Sequence, residues 1–317
     1  MFRTARMTTL KPTPNHSLKI GTRGSPLALA QAHETRSRLA ASFDLPLEAF
    51  EIVVIKVAGD AVQDRPLKAI GGKGLFTREI EDALLDGSID IAVHSMKDMP
   101  TEQPKGLILN TYLPREDVRD AFISLSSGGL ADLPQGAVVG TSSLRRKAQL
   151  LHRRPDLQIV EFRGNVQTRL RKLGEGVAQA TLLAMAGLNR LNLFGISRQP
   201  IDPADLLPAV AQGAIGIERR LDDHRTADLL AAIHDGPTGQ RIVAERSFLA
   251  ALDGSCQTPI AGLAELSGRN LTLRGEILRL DGSQVLADSG VAPIEDGAEL
   301  GRQMARGLLV RAGPHFF

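Results

Sequence analysis

Ile89-Asp90-Ile91-Ala92-Val93-His94-Ser95-Met96-Lys97-Asp98-Met99-Pro100 runs from a β-branched, apolar stretch straight into a polar turn closed by proline. Residues 89–93 read as a strand, and the proline bars its continuation. His94, Lys97 and Asp98 therefore sit just past a strand's carboxyl end, where open α/β sheets hold ligands. Working outward, residues 18–22 and 51–57 read as further strands. Ser25 and Pro26 are an N-cap and a first helical position, and residues 75–85 show helical spacing of apolar side chains. After Asp120 the rhythm restarts. Strands are expected at 137–140, 157–160 and 179–183, with helices from Leu144, from the cap Asn165 to Leu173, and up to Leu191. Residues 202–218 could cross back to the first unit. From residue 240 the pattern changes to one helix to Leu252, strands at 262–266, 271–280 and 284–287 around an Asp281-Gly282-Ser283 hairpin turn, and a last helix over 294–310. The fold class is α/β, each unit with a mainly parallel sheet, followed by a small α+β domain.

The chain has 317 residues, more than one core usually organises, and 43% hydrophobic and 23% charged residues, as in a globular protein. With 38 basic and 36 acidic residues the net charge is only +2, which argues against a dedicated nucleic-acid partner. No apolar run approaches the ~20 residues that span a bilayer, so no membrane partner is expected. A single cysteine suits a reducing compartment, and a cytoplasmic location is expected. Residues 1–17 carry Arg3, Arg6 and Lys11 and no acid, with Pro12 and Pro14 against an amphipathic helix; a disordered extension is expected there.

Basic residues gather unevenly. Between Arg145 and Lys172 nine Arg or Lys face two acids, Asp156 and Glu161. Arg145, Arg146 and Arg163 follow strands directly and read as anion binders, helped by hydroxyls at Thr141, Ser142 and Ser143 before a helix; Arg153, Arg154 and Lys172 read as a solvated face. The expected ligand is a polyanion bearing several carboxylates. Asp98 either closes a turn or points into that cationic cleft, able to stabilise positive charge or move a proton. His94 reads as a strand-end histidine held by hydrogen bonds, with a general base as the alternative. Gly71-Gly72-Lys73-Gly74 lacks Walker spacing, and residues 60–73, with Lys68 and Lys73, read as a lid over the cleft. The lone cysteine stands in Gly254-Ser255-Cys256-Gln257-Thr258-Pro259. It is either packing filler or a reactive thiol, and its turn-forming flanks favour a thiol within reach of a ligand. It cannot form a multi-cysteine metal site, and no metal is expected.

Seven segments in order resemble the porphobilinogen deaminase (hydroxymethylbilane synthase) family: residues 21–29 (GTRGSPLAL), 71–76 (GGKGLF), 92–100 (AVHSMKDMP), 140–146 (GTSSLRR), 163–170 (RGNVQTRL), 184–191 (AMAGLNRL) and 254–259 (GSCQTP). The resemblance spans residues 18 to 312. It implies two periplasmic-binding-protein-like (type II) lobes, residues 18–113 with 214–232 and residues 118–208, and a third domain over 237–317. It further implies a dipyrromethane cofactor on a thioether to Cys256, with stepwise addition of four porphobilinogen units and loss of ammonia. By the same resemblance Asp98 is catalytic. Arg23, Ser25, Lys97, Ser143, Arg145, Arg146, Arg163, Arg169 and Arg190 hold carboxylates of cofactor or substrate, and Phe76 packs on a ring. A monomer with a small-molecule substrate is implied. The sequence departs from the family pattern at Ala30, Lys147 and Ser255, and the chain contains no Trp. Two other classes compete. A non-catalytic two-lobed anion receptor leaves Cys256 and the third domain without a role. A cysteine hydrolase needs a histidine at the thiol.

Overall fold

The computed structural model describes residues 11–57, 77–196, 198–254, 258–314 and 316. The expectations for Lys68, Lys73, Phe76 and Cys256, and for the lid, fall outside these residues. In chain order the first lobe contains β1 (Leu18–Arg23), α1 (Pro26–Phe43), β2 (Phe50–Ile55), α2 (Arg78–Leu85), β3 (Ile91–Ser95) and β4 (Leu107–Tyr112). The second contains β5 (Asp120–Ser124), β6 (Val138–Gly140), α3 (Leu144–Arg153), β7 (Gln158–Val160), α4 (Val166–Gly174), β8 (Ala180–Ala184), α5 (Met185–Arg190) and β9 (Gln199–Pro200). Then follow β10 (Ile215–Arg220), α6 (His224–Ala231), α7 (Gly236–Ala251), β11 (Ile260–Ser267), β12 (Asn270–Leu278), β13 (Val285–Pro293) and α8 (Gly297–Ala312).

The two large sheets share one plan. The first has the order β2-β1-β3-β10-β4 and the second β7-β6-β8-β5-β9. In each, three strands pair in parallel and the fourth position runs antiparallel to both neighbours. The sheets are thus mixed by pairing and mainly parallel by direction. The antiparallel member is the strand next to a lobe crossing: β5 enters the second lobe, and β10 returns to the first. β3 and β5 are buried almost throughout, as central strands covered on both faces must be.

Local chemistry sets the helix starts. The Ser25 hydroxyl accepts the Ala28 amide at 3.2 Å, with Pro26 opening α1. Ser143 caps α3, and Asn165 caps α4 through the Thr168 amide at 2.9 Å. The third domain lays α7 and α8 against the antiparallel sheet β11-β12-β13. Its core is continuous with the first lobe: Met96, Met99, Leu109 and Tyr112 cluster with Ile242, Phe248, Ile260 and Leu273. Burying the methionines on either side anchors the Met96–Asp98 turn and leaves Lys97 and Asp98 outside the core.

The return crossing is tightly constrained. Ala211 has φ 61° and Gly213 φ +86°, and a Cβ on Gly213 would lie 2.5 Å from the Glu116 carbonyl oxygen of the outgoing crossing. Only glycine lets the two crossings approach this closely. Residues 11–17 depart from the disordered extension expected through Ser17. Thr13 and His16 bridge backbone to backbone, and Lys11 reaches the Phe43 carbonyl at 3.4 Å and lies over the Phe43 ring. Burial of Pro12 helps hold this segment on the body.

Candidate active site

Two cavities meet at Asp98. The first, about 80 Å³, is formed within the first lobe, and Arg23, Ser25, Gln31, His94, Ser95 and Asp98 are among its lining residues. The second, about 190 Å³, lies where three bodies converge. The first lobe contributes Lys97 and Asp98, the second Ser143, Arg145, Arg146 and Arg169, and the third domain Leu249, Thr258 and Ile260.

The fold explains these placements. Arg23 ends β1, Ser25 caps α1 and Asp98 ends the turn after β3, so neighbouring strand ends deliver all three. Gln31 and Ser95 hydrogen-bond each other at 2.8 Å, stiffening the first cavity's wall. His94 is held as the residue reading favoured: its Nε2 lies 3.1 Å from Oε2 of the buried Glu218.

The second cavity is strongly cationic. Burial, with the Arg146 charge adding and Asp98 opposing, lowers the Lys97 ammonium to about 8. Burial and the Arg146 charge likewise lower Arg169 to about 10, again against Asp98. Both shifts come first from burial, a cost that negative charge on a ligand would offset. Arg145 Nε is buried with no hydrogen-bond partner among the described residues. A ligand carrying several carboxylates supplies what this site lacks, so the residues fit a dipyrromethane with its acetate and propionate groups.

Several expected residues are engaged otherwise. Arg145 and Arg146 line the cavity, yet both grip Asp120, a fully buried carboxylate at the start of β5, at 2.5 and 2.7 Å. Arg146 also donates to the Leu182 carbonyl at 2.8 Å, and Arg145 to that of Leu207 at 3.2 Å. Their charge is partly spent inside the protein. Arg190 does not line either cavity; it donates to Glu34 of α1 at 3.2 Å and to the Gly213 carbonyl at 3.1 Å, tying the lobes together. Arg163 is also absent from both linings, and its carbonyl accepts Lys172 at 3.1 Å. The residue reading of the chain missed Gln31, Ser95, Gln212 and Asp120. Asp120 precedes the apolar Ala121-Phe122-Ile123, and a charge opening a buried strand was the available signal.

A family model described as "Porphobilinogen deaminase, dipyromethane cofactor binding domain" matches residues 18–228, and one described as "Porphobilinogen deaminase, C-terminal domain" matches residues 240–310. The chain is 66% identical over 309 residues to a protein named porphobilinogen deaminase from Paracoccus denitrificans, covering 98% of this chain and 99% of that one. It is 56% identical over 306 residues to the chloroplastic porphobilinogen deaminase of Pisum sativum, covering 95% and 83%. Among solved structures, the probable amino-acid ABC transporter extracellular-binding protein YtmK from Bacillus subtilis is 14% identical with a TM-score of 0.42, covering 68% of this chain and 88% of that one. With both family models together spanning most of its length, the chain belongs to the porphobilinogen deaminase family.

Proposed function

We propose that Asp98 is the catalytic carboxylate of this transferase, that the first cavity receives the incoming porphobilinogen and that the second holds the cofactor. As a porphobilinogen deaminase the protein joins four porphobilinogen units stepwise to a dipyrromethane primer and releases hydroxymethylbilane and ammonia. The observation that carries the assignment is that Asp98 lines both cavities. A group at their common wall faces both reacting partners.

When bound, the dipyrromethane supplies the terminal pyrrole to which each new unit is joined. Lys97, Ser143, Arg145, Arg146 and Arg169 hold its carboxylates. Cys256 attaches it, a role supported by Thr258 and Ile260, which follow it in sequence and line the same cavity. Arg23 and Ser25 orient the acetate and propionate of the incoming unit. Asp98 stabilises the positive charge that develops on a pyrrole as ammonia leaves, in the manner of an oriented charge beside the reacting atoms. Its neighbour Lys97 balances that charge at rest. Arg163 and Arg190 bind carboxylates of the growing chain in this reading, Arg190 by giving up Glu34.

The protein acts as a cytoplasmic monomer on a small molecule, with neither nucleic acid nor membrane as partner. Near-balanced charge and a single cysteine support this. No helix among the described residues is long and apolar enough to cross a membrane. Asp98→Asn tests the central assignment: kcat should fall ~100-fold or more, with an unchanged melting temperature. Near-normal turnover overturns it. The intact mass of purified protein should exceed the polypeptide mass by two pyrrole units, and the excess should vanish in Cys256→Ser.

A further inference from the structure

The floor of the first cavity contains a buried acid–base pair with no part in the chemistry above. His94 lines the cavity alongside Asp98. Its Nε2 faces Glu218 of β10 at 3.1 Å, and the two side chains are only 5% and 0% exposed. A ring nitrogen set against a carboxylate carries the ring proton, which leaves the other nitrogen, Nδ1, with its lone pair. Nδ1 has no hydrogen-bond partner among the described residues, and His94 is one of the residues that line the cavity. Glu218 spends one oxygen on this contact, and its other oxygen, Oε1, is buried without a partner among the described residues. Burying a carboxylate with half its acceptors empty is costly, and such an arrangement calls for a role beyond packing.

The surrounding charges are set on several elements. From α2, Glu81 acts on the pair; burial raises its carboxyl, the Thr77 hydrogen bond opposes, and the Glu218 charge raises it further. From α7, the Arg246 charge acts on Glu218. Arg23 and Asp98 line the same cavity as His94. Stabilising positive charge and carrying the released proton are separate tasks, which two groups can divide.

We propose that His94, held by Glu218 in the tautomer with a basic Nδ1, is the proton carrier of each condensation. This rests on placing the incoming porphobilinogen in the first cavity. The C–N bond of its aminomethyl group, protonated at nitrogen, breaks, and the electron pair departs with ammonia. A C–C bond forms to the acceptor pyrrole carbon, which then loses its proton. Nδ1 of His94 accepts that proton and passes it to the ammonia, which leaves as ammonium. Protons and electrons balance without an outside reagent.

The tautomer can be read directly by nitrogen NMR of the holoenzyme labelled in histidine. Nε2 should be protonated and Nδ1 bare at pH 8; the opposite assignment overturns the proposal. In His94→Gln, kcat should fall ~100-fold or more, the range of general acid–base catalysis, with KM within threefold of the parent. In His94→Gly free imidazole should restore part of the rate. Glu218→Gln, which loosens the hold on Nε2, should lower kcat by a smaller factor than His94→Gln. Should these variants fail to fold, the tautomer read in the parent decides. A protonated Nδ1 there, or a His94→Gln enzyme with parental kcat, sinks the idea. If Asp98→Asn is inactive while His94→Gln is normal, only the proton carrier fails; if both turn over normally, the assignment of the cavity fails with it.

Discussion

Asp120 shows what a single side chain can settle in this protein. It is fully buried and is gripped by Arg145 and Arg146, and Gln212 donates to it at 2.9 Å. Burial alone would raise its carboxyl, but the two guanidinium charges and their hydrogen bonds outweigh that and hold it well below the usual carboxylate range. A depressed folded-state value means that its contribution to stability is complete above the unfolded value of ~3.9 and is lost as the pH falls toward the folded one. Asp120→Asn strands two buried cations and should cost about 3–5 kcal/mol at neutral pH, as read from urea unfolding. The gap from the parent should narrow below pH ~4, and a gap constant with pH would contradict this pairing. Lys97 gives a second prediction of opposite sense. With its ammonium lowered to about 8, carboxylate holding weakens as the pH rises through that value. Turnover at saturating porphobilinogen should fall between pH 7 and 9 as the hold on the cofactor carboxylates loosens, and Lys97→Met should flatten the fall. Asp98 was legible as a candidate because it lies beside a strand end that its neighbours announce, whereas Arg23 and Ser25 came forward as site residues only through the family resemblance. Asp120 was not legible, because its partners are 25 and 26 positions away and only β5 and α3 packing together reveals them.

Elements with their own local punctuation could be read from the chain: α1 from Ser25-Pro26, α4 from Asn165, the hairpin from Asp281-Gly282-Ser283. β4, β5, β9 and α6 could not. β5 opens on a charge, and β9 is two residues long. Both β4 and β5 pair with strands remote in sequence, so neither alternation nor a tight turn marks them. Long-range pairing, not propensity, makes them strands. The hairpin between β12 and β13 reaches across to the second lobe. A Cβ on Gly282, at φ +73°, would lie 2.4 Å from the His152 amide nitrogen of α3, and the Gly282 carbonyl faces His152 Nδ1 at 3.0 Å. Gly282→Val should therefore unseat the hairpin and lower stability by about 1–3 kcal/mol, the range for overpacking. Gly282→Ala should fall between that variant and the parent in thermal melts, and equal melting temperatures for all three would refute the contact.

At the scale of the molecule, the third domain is tied to the crossings by one carboxylate. Glu245 of α7 takes Arg115 with both oxygens, at 2.6 and 3.0 Å, and accepts the amides of Ala211 and Ala264 at 2.6 and 2.8 Å. Glu245→Gln leaves Arg115 buried and uncompensated. It should cost about 3 kcal/mol or more and make the link before the third domain cleavable by protease. Glu34→Gln breaks the partly exposed tie to Arg190 and should change stability by less than ~1 kcal/mol. The three-body architecture was legible because composition and rhythm change near residues 120 and 240, whereas the ties between bodies join distant residues and leave no local mark. The reciprocal strand positions also impose an order in time. The second lobe's sheet is complete once residue 200 exists, since β5 through β9 are contiguous. The first lobe's sheet lacks the strand that joins β3 to β4 until residues 215–220 have been synthesised. On the ribosome the lobe encoded first is therefore finished second, with β4 unpaired and the β3 edge open in the interval. Nascent chains arrested with residue 208 just outside the exit tunnel should show a protease-resistant second lobe behind a sensitive first one, and extension past residue 220 should protect both.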